Sequence, residues 1–113
     1  MTAKSSLTDA QRKPTAAVAK QAERGLALRE KHGRGGTDVG RDRAHQLMKR
    51  QTVSDRDIKD IYSYFARHAV DKQGQGWADR KEPSAGYIAW LLWGGDAGKA
   101  WIGRLHARLE AAG

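Results

Sequence analysis

The stretch His32-Gly33-Arg34-Gly35-Gly36-Thr37 holds the residue types in this chain most suited to chemistry. Glycines ahead of a helix start leave backbone N–H groups free to point at a phosphate, and the helix dipole favours the anion. Arg34 adds a two-pronged donor, and Lys31 and Arg41 flank the loop. A true nucleotide loop follows a buried strand, whereas here a helical segment precedes. The pattern matches neither a P-loop nor a dinucleotide fingerprint. A helix C-cap with a tight interhelical turn is the plainest reading. Contact with a phosphate backbone comes next, and a nucleotide pocket last, for want of the strand.

The other reactive side chains fall into no catalytic arrangement. His32, His45, His68 and His106 include no pair at i, i+4, so no H-E-x-x-H helix or comparable metal spacing exists. His68 and Asp71 are placed for a local ion pair at i, i+3. No carboxylate pair lies in an apolar context that would raise a pKa for acid–base work. The absence of cysteine removes disulfides, thiolate metal sites and a thiol nucleophile. We therefore expect a protein that is not an enzyme and carries no cofactor or metal. Trp90, Trp93 and Trp101 could stack bases. At helical spacing among Ile88, Leu91 and Leu92 they read better as core.

Charge supplies the strongest clue to a partner. The net charge is +8, and residues 1–50 hold twelve Lys/Arg against five Asp/Glu, while residues 51–113 hold nine against eight. Such asymmetry points to an anionic partner, most often nucleic acid; the plain alternative is a solvated, solubilising surface. No run is long and apolar enough for a membrane span, and the start MTAKSSLTDAQRK has no signal-peptide core. We expect a soluble protein, intracellular or packaged inside something, without membrane contact.

These residues must be positioned by helices, since no strand-like alternation and no internal repeat occur. The 113 residues allow one domain. Residues 1–13 read as a mobile basic arm with Lys4, Arg12 and Lys13. Thr8 and Gln11 have capping-box spacing, but Pro14 follows too soon for a comfortable helix. Residues 14–113 then form an all-α domain of about five short helices. The first runs from residue 14 or 15 to about 31, with Val18, Ala22, Gly25, Leu26 and Arg29 on one face and Gly33 as its stop. Its small residues suggest close approach to another helix. The second, capped by Thr37, covers about 38–50 and uses Val39, Ala44, Leu47 and Met48 as apolar positions. The third is capped by Ser54, stapled by Val53 and Ile58, and buries Ile58, Ile61, Tyr62, Phe65 and Ala69 before fading after Asp71. It should be the hub of a stable core formed by residues 51–113. A loop over 72–83 is anchored by Trp77. Ser84 caps a fourth helix through Trp93, Gly94-Gly95 turns, and Asp96 caps a fifth from Ala97 to about Ala112.

The second and third helices resemble a helix-turn-helix in outline. The outward face of the third is mixed in sign, with Asp55, Arg56, Lys59, Asp60 and Arg67, which disfavours deep insertion into a groove. Arg41, Arg43, Lys49 and Arg50 make the second helix the better phosphate-contacting element.

Four strings in order carry a likeness: Arg24-Gly-Leu-Ala-Leu-Arg, Lys31-His-Gly-Arg-Gly-Gly-Thr, Phe65-Ala-Arg-His-Ala-Val-Asp and Pro83-Ser-Ala-Gly-Tyr-Ile-Ala-Trp-Leu-Leu-Trp-Gly-Gly-Asp-Ala-Gly-Lys-Ala-Trp. Over about residues 20–103 the chain resembles a small bacteriophage and prophage domain, found alone or attached to virion-assembly proteins such as prohead proteases. The resemblance implies a phage setting. Its motifs carry no catalytic or ligand residue, so none transfers. The chain departs from the pattern at Gly40-Arg41-Asp42-Arg43, where charged residues replace more apolar ones; this implies a more exposed second helix.

Together these features lead us to expect a phage-associated DNA-binding accessory protein that contacts phosphates with little sequence specificity. Lys31, Arg34, Arg41, Arg43, Lys49 and Arg50 would carry it, with Lys4, Arg12 and Lys13 adding reach. The alternative is a virion structural or assembly component that binds other phage proteins through the Trp-rich C-terminal hairpin. An exposed Trp90/Trp93/Trp101 patch would favour the alternative; a buried one with a continuous basic face would favour DNA.

Overall fold

The computed structural model describes residues 7–112. Among these it is all-α, with a single turn α1 (Asp9–Arg12) and five longer helices: α2 (Ala16–His32), α3 (Asp38–Met48), α4 (Asp55–His68), α5 (Ala85–Leu92) and α6 (Gly95–Ala112). A 3-10 segment, Ala69–Gln73, extends α4. Local chemistry explains the starts. The hydroxyls of Thr15, Thr37, Ser54 and Ser84 accept from the backbone N–H of Val18, Gly40, Asp57 and Tyr87, each closing the first turn. Gly33, at φ 65°, stops α2 in the left-handed region. α3 ends in a Schellman turn: the Gln51 N–H donates to the Gln46 carbonyl and the Arg50 N–H to that of Leu47. Arg50 sits there at φ 56°, a conformation unusual for a side-chain-bearing residue, and its Nε donates to the Pro14 carbonyl at 2.8 Å.

Helix α2 is the central element, packed against α3, α5 and α6. Its buried stripe is Val18, Ala22 and Gly25. A Cβ on Gly25 would lie 2.8 Å from the Leu92 backbone nitrogen, so α2 and α5 meet backbone to backbone. Helix α5 is enclosed and correspondingly apolar, burying Ile88, Trp90, Leu91 and Leu92. Helix α4 contributes Ile58, Ile61, Tyr64 and Phe65.

Several expectations are corrected. The core is not confined to residues 51–113, because Val18, Ala22, Ala44 and Leu47 belong to it, and α2 shares the role assigned to α4 alone. On α4, Tyr64 is buried, whereas Tyr62 is 41% exposed and lies flat on His106. Ala69 and Val39 are exposed as well. Asp96 lies within the first turn of α6 instead of capping it. Its carboxylate accepts from the buried Trp90 Nε1 (2.9 Å) and from Lys72 Nζ (2.8 Å). The Lys72 bond, with help from Trp90, holds that carboxyl below its usual range.

The arm is corrected for its described part. Thr8 and Gln11 close a capping box around α1, which ends before Pro14 can interfere. That turn is fastened to the body: Arg12 Nη1 donates to the Val53 carbonyl, the Val53 N–H donates to that of Arg12, and Trp101 Nε1 donates to that of Gln11. Residues 1–6, including Lys4, lie outside the described residues.

Candidate nucleic-acid interface

The fold spends the glycine loop on packing. Arg29 Nε donates to the Gly35 carbonyl at 3.0 Å, and a Cβ on Gly35 would collide with the Ile88 side chain. Arg34 reaches away from the loop, donating to the Pro83 carbonyl (2.8 Å) and pairing with Glu82 (3.3 Å). The loop therefore clamps α5's entry through Arg34. The helix C-cap and tight turn account for its glycines.

The remaining five sequence-selected cations do not form one patch. Arg43 is only 12% exposed; its guanidinium pairs with Asp57 at 2.8 Å and Asp60 at 3.6 Å and lies over the Trp93 ring. Arg41 is answered by Asp38 and Asp42. Arg50 is tied to Pro14. Lys31 and Lys49 are exposed, and among the described residues neither has a carboxylate within ion-pair distance. At about 1.5 Å of rise per residue, Lys49 lies roughly 12 Å along α3 from Arg41. Sequence proximity grouped residues that the helix separates.

The Arg43–Asp57 pair has a readable energetic signature. Burial would raise the Asp57 carboxyl, but bonds from Arg43, the Ser54 N–H and Gln46 outweigh it and bring its pKa from 3.8 to about 2. The folded state then holds this proton less readily than the unfolded chain. Its stabilising contribution is complete above about pH 4 and is lost as pH falls toward 2. Asp57→Asn should cost about 1–2 kcal/mol at neutral pH. It should also flatten the wild-type fall in melting temperature over that acid range. Parallel acid-side slopes for the two proteins would refute this role.

A different cationic site emerges where α1 docks. Lys13, Arg104 and Arg108 line one open concavity beside Gln11, Thr15 and Trp101. Lys13 comes from the α1–α2 junction; Arg104 and Arg108 share a face of α6 at i, i+4. The spacing of Arg104 and Arg108 was visible in the sequence, but nothing there linked them to Lys13.

The Trp-rich hairpin is inward. Trp90 and Trp101 are 1% and 4% exposed, and Trp93 is half-buried. Trp77 anchors its loop edge-on against Tyr87 and Trp90. Among the described residues no group of three or more His, Cys, Asp or Glu could hold a metal ion, and no helix is long and apolar enough to cross a membrane. His68 Nδ1 and the Asp71 carboxylate form the local pair at 3.0 Å.

In comparisons with known proteins, no family model, curated protein or solved structure matches this chain.

Proposed function

We propose that this protein is a phage-associated accessory protein that binds nucleic acid through phosphates with little sequence preference. The gathering of Lys13, Arg104 and Arg108 around one concavity carries the proposal, set in a chain of net charge +8. Three cations around one hollow suit phosphate oxygens, which position a duplex without reading bases. Arg34, Arg43 and Arg50 serve the fold in this reading. Lys31 and Lys49 add to the general field. The phage setting rests on the resemblance of the glycine-loop and Trp-rich strings. The alternative of assembly through the hairpin tryptophans is weakened by the burial of Trp90 and Trp101.

Gel-shift titration across salt tests the proposal. Log K against log salt should slope by about −0.9 per neutralised phosphate, giving roughly −3 for this site. Changing Lys13, Arg104 and Arg108 together to alanine should flatten the slope by about two to three units and weaken unrelated duplexes alike. Lack of any binding near 50 mM salt, where the electrostatic contribution is strong, would end the nucleic-acid reading.

A further inference from the structure

The cationic hollow does not end at Arg104. That residue also lines a second concavity, which runs along the outer face of α6 and takes in Lys72, Lys99, Ala100, Gly103 and Ala107. Asp96 is the carboxylate in this lining, and Lys72 Nζ and Trp90 Nε1 hold it at 2.8 and 2.9 Å. Lys99 and Arg104 are exposed, and among the described residues neither has a carboxylate within ion-pair distance. Between them Ala100, Gly103 and Ala107 keep the floor low. Packing does not require the glycine, since a Cβ on Gly103 would meet nothing within 4 Å. Glycine inside a helix is also less stable than alanine. At about 100° of turn and 1.5 Å of rise per residue, Lys99 and Arg108 stand on opposite flanks of α6, roughly 14 Å apart along its axis. Arg104 lies between them.

Resting on the nucleic-acid reading above, we infer that α6 straddles the minor groove of a duplex, with Arg104 reaching into the groove. One strand's phosphates would lie on Lys13 and Arg108, the other's on Lys99. Two hollows with a shared cation between them suit two rows of phosphates with a gap, which a single strand does not offer. The major groove takes a whole helix, about 10–12 Å across with its side chains. Helix α6 is packed against α2 and α4, so only side chains rise above its floor. The minor groove, about 6 Å wide, takes a side chain. Narrow A·T tracts concentrate negative potential there and attract arginine, so the preference is for groove shape and not for a base code. The low floor lets the phosphate rows close on the helix.

Fluorescence-anisotropy titrations of the full chain on DNA duplexes and on their separate strands test this. Duplex should bind at least about tenfold more tightly than single strand. An A-tract duplex should bind more tightly than a G·C duplex, and netropsin, which fills the minor groove of A·T tracts, should displace the protein. Lys99→Ala should flatten the salt slope on duplex by about one unit. Gly103→Leu should melt no lower than wild type yet bind duplex more weakly, because a raised floor holds the phosphates off. Equal affinity for duplex and single strand would overturn the inference. So would binding indifferent to netropsin, an unchanged slope in Lys99→Ala, or an unchanged affinity in Gly103→Leu. In each of those cases a loss of binding in the Lys13/Arg104/Arg108 triple variant would leave the first hollow standing as a phosphate site. Absence of binding to any nucleic acid would end both readings together.

Discussion

Phe65→Ala should destabilise the protein by about 3–5 kcal/mol, the usual cost of deleting a buried phenyl ring. Phe65 is 2% exposed and sits edge-on to both Tyr64 (5.4 Å) and Trp90 (4.7 Å). Its ring tip also lies near Gly98, where α6 passes over α4. Three helices thus converge on this one ring. Helical backbones on these sides cannot follow a methyl group inward, so the cavity should persist. Against a total stability of about 5–15 kcal/mol, the loss is large. In a domain of this size it should lower the melting temperature by more than about 10 °C. Denaturant melts with the m-value unchanged and under about 1 kcal/mol of loss would contradict the core placement.

Replacing both Gly94 and Gly95 by valine should have an effect as large, from a different cause. The turn between α5 and α6 holds Gly94 at φ 116° and Gly95 at φ 64°. Each positive φ strains an L-residue by roughly 1–3 kcal/mol, and β-branched side chains suffer most. Space is also lacking. A Cβ on Gly94 would lie 2.9 Å from the Gly98 Cα, and one on Gly95 would run into the Gln21 side chain. Gln21 can swing aside; the Gly98 backbone cannot. The double variant should therefore lose about 4–6 kcal/mol, the strain at two positions plus the contact at Gly98. Alanine at Gly95 alone should cost clearly less. Thermal melts placing the valine pair within about 1 kcal/mol of wild type would show that the turn tolerates other backbone angles.

These two sites differ in how far the sequence foretold them. Gly94-Gly95 between two apolar helical runs announced a turn with a positive φ at one position. The structure uses it at both positions. Phe65 was legible from its place three and four residues after Tyr62 and Ile61. The caps Thr15, Thr37, Ser54 and Ser84, the stop at Gly33 and the staple at Val53 and Ile58 were equally plain, because each depends on neighbours within about one helical turn. The candidate site was much less legible. Six cations close in sequence seemed to form a patch, yet Arg34, Arg43 and Arg50 are held by Pro83, Asp57 and Pro14, which lie far along the chain or on another helix.

The sequence by itself determined the five longer helices, most of their ends and the all-α class, since capping, periodicity and glycine geometry act over a few residues. Tertiary structure decided which groups are spent and which are left over. Tyr62 and Tyr64 flank the same apolar stripe at comparable angles; packing beside Trp90 and Trp93 covered Tyr64 and left Tyr62 to stack on His106. Docking of α1 turned part of an expected arm into one wall of a cationic hollow, because Trp101 on α6, Asp55 on α4 and Val53 just before α4 supply hydrogen-bond partners from far along the chain. A charge's sign is written in its residue, but whether another group neutralises it depends on neighbours that only the packed chain brings within about 4 Å.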